Sequence, residues 1–475
     1  MNRPIITHKI KTGLLVSLLA LIFTVSFPST SAQQNTQRAD ILTYIHSGWD
    51  TLSRSMTECK SVADLKVATA PILYLPAGME TPPSVAAMQQ QCSLQVAHLP
   101  RPIHHMGDVR VSEIPKEGLL YLPNPYVVPG GRFNEMYGWD SYFIVLGLVK
   151  DGHAPLAKGM VENFFFEIEN YGAVLNANRT YFFTRSQPPL LSSMIREVYE
   201  ASSSNPTPDQ NAWLKRAYTY AKRDHALWTS APHQAGTTGL ARYIDIGAGP
   251  VPEMADDSTY YPDVIRWLLA HPDVSTDYLI ESSASPTAAE TKALAERSCD
   301  IESSKVCASA IVDGRRLSRD FYSGDRAMRE SGFDTSFRFG PFSGSTEEFA
   351  PVCLNSLLYK YEQDLAHFAT ILGLPAEAAH WNQVAAARKA AINRYLWHPA
   401  ASHKSAMPDE SGSQGSQAGG MFYDYNYVHG RPSSYNFITA FYPLWAGLAT
   451  TQQAASMDAD LKLFEHEGGL AMSDN

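Results

Sequence analysis

The sequence predicts an all-α domain built from helical hairpins. Apolar residues recur at the three- and four-residue spacing of a helix in residues 156–172 and in residues 354–372. The second segment is followed by the break Gly373-Leu374-Pro375 and then by residues 381–396, which carry the same spacing. We therefore expect two helices joined by a short turn. Segments in which apolar and polar residues alternate, as in a half-buried strand, are scarce.

The remaining regular segments are also predicted to be helical, and they lie between long polar connections. We predict helices at residues 140–150, 189–202, 209–229 and 259–271. We predict irregular loops at residues 120–139, 172–188, 231–256 and 320–352, and a flexible polar insertion at residues 399–420. Loops of this length inside a compact fold are usually functional or disordered. Three of them are rich in Arg, Asp, Trp, Tyr and Gln, so we predict that they line a site.

The composition is that of a globular protein with an acidic surface. The 475 residues are 44% hydrophobic, and 38 basic against 48 acidic residues give a net charge of −10. This balance argues against nucleic acid or anionic lipid as the main partner. Aromatic residues make up 11% of the chain, which suits stacking on sugar rings as well as packing in a large core.

The first 32 residues are predicted to be a signal peptide, and the protein is predicted to be periplasmic or secreted. Basic residues at Arg3, Lys9 and Lys11 precede an apolar run over residues 13–23, and small residues follow at 30–32. The alternative is a single anchoring helix. The run is shorter than the ~20 residues that a membrane span needs, so we expect no span in the mature chain.

Five cysteines fit an oxidising compartment. Cys59 and Cys92 form one candidate disulfide, and Cys299 and Cys307 form another. Cys353 is left over and is expected to be buried as a small apolar residue. None of the cysteine or histidine spacings is typical of a zinc site, so we predict neither a metal nor another cofactor.

The densest cluster of polar and aromatic residues is YVVPGGRFNEMYGWDSYF, residues 126–143. A Pro-Gly-Gly turn precedes Arg132, and Trp139 and Asp140 follow at the start of a predicted helix. Asp140 could simply cap that helix. Together the guanidinium, indole and carboxylate would also suit recognition of a polyol, in which charged groups bond hydroxyls and an indole covers a ring face.

Several segments together resemble one known family. PGGRFNEMYGWDSYF (129–143), NANRTYFFTRSQPPLL (176–191), GPVPE (249–253), SGFDTSF (331–337) and YLW (395–397) are similar to segments of the trehalases, glycoside hydrolase family 37. The resemblance implies an (α/α)6 toroid with its site in loops at one end. We expect an N-terminal extension, residues 33–120, packed on a catalytic domain, residues 121–475.

The resemblance also implies a reaction and its proton donor. Trehalose would be hydrolysed to two glucose molecules with inversion by one carboxylic acid and one carboxylate, held roughly 6.5–9.5 Å apart so that a water fits between them. Asp334 matches the acid of the family, and Gly332 would let the backbone approach the substrate closely. Taken alone, Asp334 would more often be read as a loop or cap residue.

Eight further residues match family positions that contact sugar. They are Arg132, Trp139, Asp140, Asn176, Arg185, Ser186, Gln187 and Glu253. Fixed guanidinium forks with amides and carboxylates would hold a glucosyl unit through its hydroxyls. The alternatives are a surface or loop-anchoring ion pair for Arg185, and bonding to loop backbone for Asn176 and Gln187.

The chain departs from the family pattern at several positions. Val251 stands where many members have Arg, which removes a five-donor group and suggests an altered second glucose subsite. Phe333 stands where Trp is common, and Cys353 where Asp is common.

The chain also stops at EGGLAMSDN, before the segment that bears the family's base. We therefore expect a truncated enzyme, with the catalytic Glu beyond residue 475 and residues 1–475 inactive alone. The expected partner is a disaccharide substrate, and the expected state is a monomer. The alternatives are a hydrolase of another α-glucoside, or a non-catalytic sugar-binding relative if the chain truly ends at Asn475.

Overall fold

A computed structural model describes most of the chain. The described residues are 30–62, 71–110, 113–201, 207–247, 249–254, 259–274, 277–282, 310–399 and 420–474. The chain divides into two compact units, residues 1–48 and residues 49–475. Most of the predicted leader, most of the predicted insertion at 399–420, and Cys299 and Cys307 lie outside the described residues.

Helices dominate the described residues, and the predicted helices are confirmed. Their bounds are α1 Thr30–Leu52, α2 Cys59–Val62, α3 Pro83–Gln91, α4 Asp140–Lys150, α5 Ala154–Asn170, α6 Leu191–Ala201, α7 Pro208–Thr229, α8 Tyr260–Ala270, α9 Arg319–Ser331, α10 Val352–Ile371, α11 Pro375–Tyr395, α12 Tyr442–Trp445 and α13 Thr451–Asp458. Helices α10 and α11 pack against each other as the predicted hairpin. Gly373, which lies between them, has a φ of +70°, a conformation that glycine adopts without strain.

The fold is mainly helical, as predicted, but short strands also occur between the helices, which the all-α prediction did not include. They are β1 Ser53–Arg54, β2 Ile72–Leu75, β3 Gln95–His98, β4 Leu119–Leu120, β5 Tyr126–Val127, β6 Leu279–Glu281, β7 Ile311–Val312, β8 Arg315–Leu317, β9 Phe349–Ala350, β10 Trp397–His398, β11 Met421–Phe422, β12 Tyr425–Asn426, β13 Arg431–Pro432, β14 Glu465–His466 and β15 Gly469–Leu470.

Strand β2 shows why the sequence did not reveal these strands. It lies between β3 and β4 and is parallel to both. All four of its residues, ILYL, are buried. A strand buried on both faces is a continuous apolar run without alternation, and a run of four residues cannot be assigned by periodicity.

Helix α9, Arg319–Ser331, covers the first part of the segment predicted to be a loop, residues 320–352, so that prediction is wrong there. The hydroxyl of Ser318 caps its first turn by accepting from the N–H of Phe321 at 3.3 Å. Gly332 ends it in the left-handed conformation, with a φ of 74°. The helix buries charged side chains among its apolar ones, which hid its periodicity.

The main hydrophobic core lies between five of the helices. Helices α4, α5, α6, α7 and α10 contribute to one continuous cluster of buried apolar residues. Phe164, Leu214 and Phe368 are fully buried in it. Because α4 and α6 are fixed by this packing, the loops that adjoin them are held at defined positions.

The cysteines have two different environments. Cys59 and Cys92 are joined by a disulfide. Cys353 is buried and free, as expected for an apolar position, and its sulfur accepts from the guanidinium of Arg338 at 3.5 Å.

Because α10 contributes buried apolar side chains to this core, truncating one of them should strongly lower the stability of the protein. Replacing Leu365, which is 0% exposed, by Ala should lower the free energy of unfolding by about 2–5 kcal/mol because it leaves a cavity. Leu444→Ala is the matched control, since Leu444 is 38% exposed. The Leu444→Ala substitution should lower the free energy of unfolding by about 0.5 kcal/mol or less. Denaturant titration of both variants would measure the difference, and equal losses would contradict the assignment of this core.

Candidate active site

Asp334 lies just beyond α9, beside a buried guanidinium. Nη1 of Arg329 donates to its Oδ2 at 3.5 Å. Arg329 is 7% exposed, while the Asp334 side chain is 40% exposed. Arg329 also donates to Asp325 at 3.5 Å, and its guanidinium lies over the ring of Tyr260, 5.3 Å from the centroid. Asp334 therefore stands at the open side of the cluster, backed by a fixed positive charge.

Trp139 packs against the turn that carries Asp334. A Cβ placed on Gly332 would come within 2.7 Å of the indole, so no larger residue fits there without movement. Phe333 meets the same indole edge-to-face, with ring centroids 5.4 Å apart. The neighbour that requires glycine at position 332 is thus Trp139, whereas the sequence suggested the substrate.

Arg185 and Glu253 form an ion pair close enough to Arg329 for its charge to act on Glu253. Arg185 is 3% exposed and donates to Glu253; its Nη1 is 3.7 Å from Oδ2 of Asp245. Burial alone would raise the pKa of Glu253, but the charges of Arg185 and Arg329 outweigh burial and lower it. Burial alone would lower the pKa of Arg185, but Glu253 and Asp245 outweigh it and raise it. Both groups are therefore charged at neutral pH.

Three predicted sugar-binding residues hold loop backbone. Nδ2 of Asn176 donates to the carbonyl of Ser186 at 3.3 Å. The hydroxyl of Ser186 donates to the carbonyl of Val174 at 2.6 Å. Oε1 of Gln187 accepts from the N–H of Trp139 at 2.9 Å. These bonds join two site loops, and contact of the three side chains with sugar stays a prediction.

Asp140 and Arg132 differ in their relation to this cluster. Asp140 begins α4; burial raises the pKa of its carboxyl, and the negative charge of Asp334 raises it further. Asp334 therefore lies close enough to Asp140 for its negative charge to act on that carboxyl. Arg132 is exposed, and its guanidinium lies 4.7 Å from the ring centroid of Phe133. Its predicted contact with sugar remains a prediction.

Val251 occupies an enclosed position. It is 0% exposed, and its N–H donates to the hydroxyl of Tyr261 at 2.9 Å. The guanidinium near Glu253 and Asp334 is supplied by Arg329, which the sequence analysis missed. Its position five residues before Asp334 could have indicated it, but only if α9 had been recognised as a helix.

Three buried polar atoms of this cluster have no hydrogen-bond partner among the described residues. They are Nε of Arg185, Oε2 of Glu253 and Nε of Arg329. Such atoms are rare in folded proteins, and each calls for an explanation.

Across the described residues, no group of three or more His, Cys, Asp or Glu side chains is arranged to hold a metal ion. Among the described helices, none is long and apolar enough to cross a membrane.

The fold and the cluster define a mainly helical protein whose loops bring carboxylate, guanidinium and indole groups together. Residues 73–474 match the trehalase family model, and the chain belongs to the trehalase family.

Two curated relatives and one solved structure give the extent of the similarity. A probable trehalase of Eremothecium gossypii is 34% identical over 90% of this chain and 56% of its own length. A cytosolic neutral trehalase of Saccharomyces cerevisiae is 34% identical over 81% of this chain and 48% of its own length. The solved structure of a neutral trehalase from Saccharomyces cerevisiae is 31% identical, with a TM-score of 0.68, over 90% of this chain and 75% of that one. The chain spans about half the length of the two curated relatives.

The prediction of a signal peptide and of a periplasmic or secreted location is wrong. Relatives from Saccharomyces cerevisiae, Kluyveromyces lactis and Pyricularia oryzae are named cytosolic neutral trehalases. The prediction relied on the composition of the first 32 residues alone. A basic segment followed by a short apolar one is a pattern of composition, and it does not identify a compartment by itself.

The raised pKa of Asp140 predicts that removing its charge stabilises the protein in a pH-dependent way. Because its pKa is raised in the folded state, stability is lost as pH rises through that pKa. Asp140→Asn removes the partly buried charge, so it should raise the Tm at about pH 8 by about 1–2 °C and leave it nearly unchanged at about pH 4. Thermal unfolding at several pH values would measure this.

The matched control is Asp209→Asn, in the first turn of α7. Asp209 is exposed, and an ionised carboxylate there favours the helix dipole. Its removal should therefore lower the Tm slightly at about pH 8. An Asp140→Asn variant that behaves like this control would contradict the raised pKa of the partly buried Asp140 carboxyl.

Proposed function

We propose that the full protein is a glycoside hydrolase that hydrolyses α,α-trehalose to two glucose molecules with inversion. The observation that carries the proposal is the row of charged groups from Asp334 through Arg329 and Glu253 to Arg185, with Trp139 packed against the same turn. Its relatives are named trehalases. A disaccharide, with many hydroxyls and apolar ring faces, fits such a surface.

We propose that the helices form an (α/α)6 toroid that carries this site in loops at one end. The hairpin of α10 and α11 and the similarity to the solved neutral trehalase support this arrangement. We further propose that residues 121–475 belong to the catalytic domain and that residues 33–120 pack on it as an extension. The protein is proposed to act as a monomer.

Asp334 is proposed to be the general acid. Its carboxyl would donate a proton to the glycosidic oxygen as the bond to the anomeric carbon breaks, while a base takes a proton from the attacking water. The nearby guanidinium of Arg329 would stabilise the carboxylate that remains. Since Asp334 is 40% exposed, the bound substrate itself would have to exclude water from the carboxyl.

The base is proposed to lie in the part of the relatives' length that this chain does not cover. The glutamates of the matched motifs are committed elsewhere: Glu135 pairs with Arg179 at 2.7 Å, and Glu253 pairs with Arg185. Asp140 is near Asp334, but burial raises the pKa of its carboxyl and so disfavours the ionised form that a base needs. We assign Asp140 to binding sugar hydroxyls.

The second candidate function is hydrolysis of another α-glucoside. It rests on Val251, which stands where many members of the family have Arg. Glucose release by the full-length protein from trehalose and from maltose separates the two. We expect release from trehalose only, because Arg329 provides a guanidinium near Glu253. Release from maltose alone would establish the second candidate.

The products of trehalose also test inversion. Both anomeric carbons of trehalose are α, so inversion at one of them gives equal amounts of α- and β-glucose at early times. Retention would give α-glucose alone. Proton NMR before mutarotation distinguishes these outcomes, and an early excess of the α-anomer would contradict the inverting mechanism.

Replacing Asp334 by Asn in the full-length protein should lower kcat by about 10²–10⁴-fold, because proton donation is lost, while the Tm changes little. Asp320→Asn is the matched control: Asp320 lies in the first turn of α9 and is exposed. Its kcat should match that of the wild type. An Asp334→Asn variant with near wild-type kcat would refute the assignment of the acid.

A further inference from the structure

Glu330 is a fully buried carboxylate one residue before the end of α9. Its Oε2 accepts from the N–H of Ile244 at 2.7 Å. Its Oε1 accepts from the N–H of Ser186 at 3.2 Å and lies 3.3 Å from Nε2 of His233. In the tautomer that carries its proton on Nε2, His233 is the donor in this contact.

These donors come from two loops that are far apart in the sequence. Ser186 belongs to the loop before α6, and His233 and Ile244 belong to the segment that follows α7. The helix that carries Glu330 leads directly to Asp334. One buried side chain therefore joins the turn of the proposed acid to two other loops of the site.

The two backbone donors adjoin charged residues of the site. Ser186 follows Arg185, and Ile244 precedes Asp245. Arg185 and Asp245 lie 3.7 Å apart, and Arg185 also pairs with Glu253. The N–H of Ser186 fixes the backbone next to Arg185, and the N–H of Ile244 fixes the backbone next to Asp245. Together they hold both members of the Arg185–Asp245 ion pair in place.

Two carboxylate oxygens with several lone pairs can accept all three bonds, whereas an amide cannot. A Gln at position 330 has one acceptor oxygen and an NH₂ group that would face an N–H donor. At least one buried donor would then lose its partner, and the loop that carries it would shift or loosen.

We propose that Glu330 is a positioning residue for sugar binding, which it controls through the backbone N–H groups of Ser186 and Ile244 and the imidazole of His233. It acts through Arg185 and Gln187, which are proposed to touch the substrate. The proposal rests on the proposed function for its kinetic consequence, while the joining of the loops can be tested without a substrate.

Glu330→Gln in the full-length protein is the test, and Glu362→Gln is the matched control. Glu362 is also 0% exposed; it accepts from Nε of Arg388 at 2.7 Å and lies 3.1 Å from Nε2 of His225. Both variants should lose thermal stability. Only Glu330→Gln should raise the KM for trehalose, by about tenfold, with a smaller change in kcat.

Hydrogen–deuterium exchange supplies the second readout. Peptides that contain Ser186 and Ile244 should exchange faster in Glu330→Gln than in Glu362→Gln. An unchanged KM with unchanged exchange would overturn the proposal, and so would an equal rise in KM in both variants.

If Glu330→Gln does not fold, the wild type and His233→Gln still decide the matter. The amides of Ser186 and Ile244 should be protected from exchange in the wild type, and His233→Gln should raise KM in the same direction by a smaller factor. Rapid exchange of both amides in the wild type would overturn the proposal. A wild type that protects these amides but leaves trehalose intact would support the joining of the loops and refute the proposed function.

Discussion

Charged side chains buried along α9 must be paired, and helix α8 and the loops of the site provide their partners. A buried charge without a partner is strongly unfavourable. Asp325 accepts from the hydroxyl of Tyr261 at 2.9 Å, and Arg326 donates to the carbonyl of Pro250 at 2.9 Å. Arg329 contacts Asp334, and Glu330 binds two further loops. The helix thus determines where the surrounding loops lie, and the geometry of the site follows from that pairing.

This constraint explains what the sequence could and could not reveal. Helices such as α5 and α10 bury mainly apolar residues at regular spacing, so periodicity located them to within a few residues. Helix α9 buries Asp325, Arg326 and Glu330, and a hydrophobic pattern cannot detect such a helix. Strand β2 was missed for a different reason, because four consecutive buried residues carry no alternation.

The resemblance to the trehalases indicated Asp334, Trp139 and Arg185, and these residues lie in one cluster of loops. It did not indicate Arg329, since the family comparison drew attention to Val251 as a missing guanidinium. Arg329 supplies a guanidinium beside Asp334 and near Glu253. Glu253 and Arg329 are far apart in the sequence, and no local motif records that they lie close together.

The most direct test of the account is a crystal structure of the full-length Asp334→Asn protein with trehalose bound. We expect the glycosidic oxygen within hydrogen-bond distance of the residue at position 334, with hydroxyls of one glucosyl unit on Arg185 and Glu253 and a ring face against Trp139. Trehalose bound away from this cluster, or with its glycosidic oxygen out of reach of position 334, would contradict the account.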